Sequence, residues 1–406
     1  MDAIPPELLR EVFQFSTLPH YLEDRSSRTP EQQKTKWSLV LVCKKWRALA
    51  TEILYQDVLI DDCAQDLLDV LKRSARDYET SGYGRWVRRI TLHSEKLVFP
   101  VQFMDILRYC PQLEVLVKPG YDVTSDLGLN GDSHFWQDIL HIRHGSSPPP
   151  LSSLRKISWV GTSSPMIEYV HYEELDRLRL SEIILHSPNL RALTLGIRNG
   201  DLFSRLTCRQ PNTILFPSLE KIALVMPSLR FTRMGIGLAD MPKLAHLAIY
   251  PHSSSAHTME IVLFLKTQLQ TVEVLPVFGA VKFPIIPDIL RACPNVRQLI
   301  YYNDNVTLDA RKLTPHSSLT CVRLCHDPDR WTIRPPGRTA VELYESTWAS
   351  LRSHFAVFAG PMFPALERVV LQGEWTWMVS NLRFHSLHAS LHERGCRLEY
   401  TDGTPV

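Results

Sequence analysis

A short apolar phrase, Leu-x-x-Leu-x-Leu, returns along most of this chain at nearly even spacing. Its copies are Leu190/Leu193/Leu195, Leu219/Ile222/Leu224, Leu244/Leu247/Ile249, Leu269/Val272/Val274, Val296/Leu299/Tyr301, Leu319/Val322/Leu324 and Leu366/Val369/Leu371. Leu154/Ile157/Trp159 fits as well, and Leu113/Leu116 is partial, with Lys118 in the third place. The copies that open at 190, 219, 244, 269, 296 and 319 stand 29, 25, 25, 27 and 23 residues apart. A proline stands two residues ahead of many copies: Pro111, Pro188, Pro217, Pro242, Pro294 and Pro364. Three of these prolines follow an apolar helical run, at Asp105–Cys110, Glu182–Ser187 and Asp288–Cys293. One such unit cannot bury its apolar face alone, whereas stacked units bury a continuous core. Each leucine removed from water contributes about 1.5–3 kcal/mol. Proline stops the helical run and biases the residue before it towards extended geometry, which favours the switch to strand.

A period of 23–29 residues with this pattern is that of leucine-rich repeats. The expected class is α/β, with an irregular leucine-rich-repeat solenoid that has a curved parallel β-sheet and helices on the convex side. The copies depart from well-formed repeats: the Asn or Cys usual near the end of the strand is absent, and wider gaps hold loops at Gly145–Ser153 and His326–Thr339. The competing reading is a generic α/β domain of Leu-rich helix–strand units. Leu391–Tyr400 reads as a helix plus a final capping strand, and Arg85–Leu92 as the first strand of the array.

The first sixty residues have a different texture. Pro5 and Pro6 suit the first turn of a helix, where a missing N–H loses nothing, and Glu7 suits its dipole. Leu8, Leu9, Val12 and Phe13 then make one apolar stripe, which ends before Pro19. Glu23–Lys36 is polar and reads as a loop or a frayed helix. A second helix is expected from Trp37, with Leu39, Val42, Cys43, Trp46, Leu49, Ala50 and Ile53 apolar over four turns. Leu39–Cys43 is apolar all the way round, more than so small a unit can bury, so part of it is expected to meet a partner or the following domain.

Ile4-Pro5-x-Glu7-Leu8-Leu9-x-x-Val12-Phe13, then Leu39-Val40-x-Val42-Cys43-Lys44-x-Trp46-Arg47-x-Leu49-Ala50, then Leu54-Tyr55, resembles the F-box motif. That resemblance covers about 55 residues. It implies a helical module that binds the Skp-type adaptor of cullin–RING ubiquitin ligases. Ile4, Pro5, Leu8, Leu9, Val12, Phe13, Leu39, Val42, Cys43 and Trp46 would then supply the adaptor contacts and the small core beneath them. The segment Pro19–Lys36 is longer and more polar than the usual motif. With the repeats behind it, the chain resembles F-box/leucine-rich-repeat proteins of the fungal type. The expected division is 1–60 for the F-box-like module, 61–85 for a linker helix and loop, and 86–406 for the degenerate repeat array. The other reading of the two helices is a plain amphipathic pair that packs on the array.

Composition narrows the function classes. The net charge is +2 at 22% charged residues, which does not argue for a nucleic-acid binder. Twenty-eight prolines against 17 glycines favour rigid breaks over left-handed turns. The eight cysteines, Cys43, Cys63, Cys110, Cys208, Cys293, Cys321, Cys325 and Cys396, form no Cys-x-x-Cys pair and read as reduced and mostly buried. The start of the chain carries no basic or apolar leader, and apolar runs such as Ile261–Leu265 are too short to span a bilayer. A soluble protein of the cytoplasm, the nucleus or both is expected.

No catalytic grammar stands out: Gly-x-Gly-x-x-Gly, the phosphate-binding loop, Gly-x-Ser-x-Gly and His-Glu-x-x-His are all missing. Cys321-x-x-x-Cys325-His326 has the look of metal ligands, but along a strand the two thiols lie about 13 Å apart, too far for one ion. No catalytic residue, metal or cofactor is expected. The residues flanking the central leucine of each phrase face away from the core and would line the concave sheet. Lys156, Lys221, His246, Glu273, Gln298, Arg323 and Arg368 are the candidates there for holding a target. They suggest a shallow, mildly basic and partly apolar face suited to a protein segment, an acidic one included.

Two function classes follow. One is a non-catalytic substrate receptor: a Skp-type adaptor, and through it a cullin, at the N-terminus, and an unknown target protein on the array. The other is a non-degradative repeat scaffold with the N-terminal helices as a cap. In either, a monomer within a hetero-complex is expected, with no nucleic-acid or membrane partner.

Overall fold

The computed structural model describes residues 4–17, 30–60, 64–77, 82–92, 103–118, 149–160, 180–196, 216–225, 241–250, 268–275, 285–303, 306, 308–326 and 339–406. Cys63, Cys208, residues 145–148 of one expected loop and residues 327–338 of the other lie outside them. The protein is mixed α/β. Twelve described strands follow one another in the sheet in the order of the chain. The chain divides into two units, Met1–Leu193 and Thr194–Val406.

In the first unit three helices come before the sheet: α1 (Pro6–Thr17), α2 (Pro30–Val42) and α3 (Lys44–Gln56). Strand β1 (Asp57–Ile60) follows α3 directly. Helix α4 (Ala64–Asp77) and a 3-10 turn over Gly82–Trp86 lead to β2 (Arg89–Leu92). Then come α5 (Phe103–Arg108), β3 (Val115–Lys118) and β4 (Lys156–Trp159). β1 to β4 pair in parallel, with Asp57 beside Arg89, Arg89 beside Val115 and Val115 beside Lys156. Strand β5 (Ala192–Leu195), preceded by a helical turn at 180–185, straddles the division.

Two expectations are corrected here. The helix expected from Trp37 through Ile53 is two helices, broken at Cys43. That residue is extended (φ −161°, ψ 170°), and its Sγ accepts the Trp46 amide at 3.4 Å, so it caps α3 instead of continuing α2. Of the two readings of the polar stretch before it, the helical one holds from Pro30, at the position where proline opens a helix. The strand expected at Arg85–Leu92 is confined to Arg89–Leu92, and β1 precedes it.

The second unit carries β6 (Lys221–Val225), β7 (His246–Tyr250), β8 (Thr271–Val274), β9 (Gln298–Tyr302), β10 (Cys321–His326), β11 (Arg368–Gly373) and β12 (Arg397–Tyr400). Its helices are α6 (Ile286–Ala292), α7 (Ala340–Ala359), α8 (Thr376–Val379) and α9 (Leu382–Glu393). All registered strand pairs in it are parallel.

The repeated phrase explains the core. From Leu113 to Leu371, every apolar residue of the phrase is 6% exposed or less. Lys118, in the place of a third leucine, is buried as well, and its ammonium lies 5.4 Å from the centre of the Trp159 ring on the next strand. The proline has a more specific role than a helix stop. In Cys110-Pro111-Gln112-Leu113 the Leu113 amide bonds the Cys110 carbonyl at 3.2 Å, a four-residue turn with proline in the position that its fixed φ favours. The same turn closes at Leu190 on Ser187, Leu219 on Phe216, Leu244 on Met241, Val296 on Cys293 and Leu366 on Phe363. Just before each strand, one carbonyl takes two amides of the next copy: Arg88 from Glu114 and Val115, Ala245 from Gln270 and Thr271, Arg297 from Thr320 and Cys321. These double acceptors set the register from copy to copy.

Helix α7 is held by polar contacts as well as by Trp348, Leu351, Phe355 and Phe358. Thr339 and Glu342 form a capping box at its start. The Ser350 hydroxyl donates to the Asn303 carbonyl at 2.9 Å, and Ser353 to that of Leu308. His354 is buried, with Nδ1 2.9 Å from the Tyr301 hydroxyl and Nε2 3.0 Å from the Val306 carbonyl. A carbonyl only accepts, so Nε2 carries the proton and the Tyr301 hydroxyl donates to Nδ1.

Candidate functional site

Two surfaces hold the residues singled out in the sequence, one on the helices of the first unit and one on the strands.

Helix α1 is apolar on two sides. Leu9 and Phe13, one turn apart, are buried with Ala50 and Ile53 of α3, and Leu39, Val40, Trp46 and Leu49 pack against them. The Phe13 and Trp46 rings lie 4.7 Å apart. Leu9, Phe13, Leu39 and Trp46 are therefore the small core. The other side of α1 presents Leu8, Val12 and Phe15 at helical spacing, with Ile4 just ahead of the helix, and α2 presents Trp37, Leu41 and Val42. These seven are between 45% and 79% exposed. Pro5 and Cys43 are exposed too. Phe15, Trp37 and Leu41 were not among the adaptor-contact residues that the resemblance implied. Phe15 continues the Leu8–Val12 spacing, and the phase of α2 became readable only with the break at Cys43. So many exposed large apolar side chains on so small a unit are more than the single ones scattered over an ordinary surface.

These helices are fastened to the strands behind them. Lys36 of α2 is buried, and its ammonium lies 3.8 Å from Asp57, the first residue of β1. Arg89 of β2 approaches the same carboxylate at 3.9 Å. Tyr55 of α3 stacks on Tyr83 (4.8 Å), Tyr83 on Trp86 (5.6 Å), and the Arg85 guanidinium lies 4.8 Å from the centre of the Trp86 ring. Burial, and then Tyr83, pushes the Tyr55 hydroxyl pKa up.

On the strands, the parallel register puts the flanking residues in rows. One row of the second unit runs Lys221, His246, Thr271, Gln298, Cys321, Arg368, Arg397. The next runs Ala223, Ala248, Glu273, Ile300, Arg323, Val370, Glu399. Ala223, Ala248, Ile300, Cys321 and Val370 are buried, so the apolar part of this face is a floor beneath the longer side chains. Lys156, on β4 of the first unit, is half-buried.

The charges in these rows are unevenly compensated. Lys221 Nζ at 3.5 Å and His246 Nε2 at 3.1 Å converge on Glu273. Burial pushes the Glu273 carboxyl up, but the bond from His246 and the nearby Lys221 ammonium outweigh it and hold the pKa below the usual carboxylate range. Arg368 pairs with Glu399 at 3.1 Å. Arg323 has no carboxylate partner among the described residues; it and Arg368 lie near Cys321, whose sulfur takes the Gln298 amide at 3.9 Å. Burial pushes the Cys321 thiol up, against the two guanidiniums, so it is a neutral thiol here.

Cys321 and Cys325 both lie within β10, as the strand reading required. Among the described residues, no group of three His, Cys, Asp or Glu side chains is placed to hold a metal ion, and no helix is long and apolar enough to cross a membrane. Trp375 is buried and donates from Nε1 to the Gln372 carbonyl at 3.0 Å, while Trp377 edges towards His326 and Trp348. Both are packing residues of the C-terminal part.

No protein-family model matches this chain, and no curated protein matches it.

Proposed function

We propose that this protein is an F-box-type substrate receptor, a non-catalytic subunit whose N-terminal helices dock a Skp-type adaptor and, through it, a cullin. Its stacked strand units act as a leucine-rich-repeat array that holds a target protein. The observation that carries the reading is the two-sided apolar character of α1: Leu9 and Phe13 complete the module's own core, and Leu8, Val12 and Phe15, with Trp37, Leu41 and Val42 of α2, are left exposed. Each side chain of this size that an adaptor buries contributes about 1.5–3 kcal/mol, so a few of them sustain a stable complex. The same residues carry the F-box resemblance of the sequence.

The test is co-purification of the full chain with a Skp-type adaptor. Wild type is expected to elute with it. Val12→Asp together with Leu41→Asp is expected to abolish the complex while leaving the far-UV circular dichroism unchanged, because both residues are exposed. Trp46→Ala is a poor probe, since Trp46 packs on Phe13. An adaptor that never binds wild type refutes the reading.

One observation favours the second reading, the helices as a cap of a non-degradative scaffold: the Lys36–Asp57–Arg89 cluster fastens α2 to the strands. That reading predicts no adaptor complex at all.

A further inference from the structure

We infer that the β10–β12 end of the sheet face recognises an acidic peptide segment, with Arg323, Arg368 and Arg397 as its carboxylate anchors. The inference rests on the receptor reading for its biological sense and narrows where, and by what chemistry, a target is held.

The basis is charge complementarity resolved strand by strand. Lys221 and His246 are basic, but both are turned onto Glu273, so β6–β8 offer an incoming carboxylate little. Strand β9 carries no charged residue. On the three strands after it, Arg323, Arg368 and Arg397 stand against a single carboxylate, Glu399. Glu399 is engaged by Arg368. Arg397 is exposed, and the Arg368 side chain is 43% exposed. Arg323 lies near the thiol of Cys321, a weak acceptor that a carboxylate displaces readily, and its Nε is buried with no partner among the described residues.

The spacing suits an extended chain. Arg323 and Arg368 are offset by one strand and two residues, a diagonal of about 8 Å at ordinary strand dimensions. Alternate side chains of an extended peptide recur about every 6.8 Å, so acidic residues at alternate positions reach successive guanidiniums. Guanidinium forks bind carboxylates with two parallel bonds. Ile300 and Val370, buried in the same row, give the backbone of such a segment an apolar floor.

The experiment uses the full chain and a fluorescein-labelled decaglutamate peptide followed by anisotropy. A decaglutamine peptide and an oligothymidylate of equal charge serve as comparisons. Wild type is expected to bind the glutamate peptide at least tenfold more tightly than the glutamine peptide, and more weakly as salt rises. Arg323→Gln is expected to weaken binding about tenfold, with Lys221→Gln within twofold of wild type. Arg397→Gln is exposed and does not threaten folding; it is expected to weaken binding about threefold or more. Equal binding of the two peptides overturns the inference. So does a loss in Lys221→Gln as large as in Arg323→Gln, or displacement of the peptide by an equal charge of oligothymidylate. Adaptor co-purification is run on wild type: selective binding of the glutamate peptide without an adaptor complex refutes the receptor reading alone, and an adaptor complex without that selectivity refutes only this inference.

Discussion

At the scale of single residues, buried polar groups are where this protein departs from an apolar stack, and one of them, His354, has a partner at each ring nitrogen. His354 joins the Tyr301 hydroxyl to the Val306 carbonyl inside the second unit. Replacing it with leucine leaves the Tyr301 hydroxyl without its acceptor, while Val306 keeps a longer bond from Ser350 at 3.4 Å. His354→Leu is expected to lower stability by about 1–3 kcal/mol, measured by denaturant unfolding. Adding Tyr301→Phe is expected to recover part of the loss, because the orphaned hydroxyl goes with it. Glu273 gives a pH signature. Its folded pKa lies below the unfolded value, so its stabilisation is present above about pH 4.3 and is lost as pH falls through the folded value. Glu273→Gln is expected to flatten the acid limb of stability against pH between about 5 and 3; two parallel curves would contradict it. Gly373 is a third case. Its φ is +96°, and a Cβ there would overlap the His326 carbonyl, so the end of β11 demands glycine.

At the scale of elements, strands were legible and helix boundaries less so. The phrase Leu-x-x-Leu-x-Leu places β4 to β11 because burial of three residues per copy overrides local propensity. β1 carries the same kind of run, Val58-Leu59-Ile60, without proline or phrase ahead of it, and periodicity alone gave no reason to separate it from α3. The break at Cys43 was hidden for a related reason. Helical spacing continues across it, and only the capping geometry shows that α2 has ended. The link from α2 to β1 was invisible because Lys36 and Asp57 are 21 residues apart in sequence. That link is testable. Asp57→Ala removes the carboxylate beside a buried ammonium and is expected to cost about 3 kcal/mol. Lys36→Met keeps the apolar stem, leaves Asp57 beside Arg89, and is expected to cost clearly less. Equal losses would show that the pair is not what fastens α2.

At the scale of the whole molecule, the sequence made the α/β class and the parallel strand order readable, since a stacked repeat translates period directly into topology. The candidate surfaces were readable only in part. The sequence named Leu8, Val12 and Val42 together with Leu9 and Phe13, and could not tell exposed from buried members of one helix. It also took Lys221 as part of one mildly basic face with Arg323 and Arg368, whereas Lys221 and His246 are both turned onto Glu273. Function at this scale rests on α1 and α2 being a docking face, and hydrogen–deuterium exchange of the full chain with and without a Skp-type adaptor tests that most directly. The account predicts that the adaptor slows exchange in peptides covering residues 4–15 and 37–46 and leaves the β6–β12 strands unchanged. Exchange left unaltered in those two segments, or slowed in the strands instead, would contradict it.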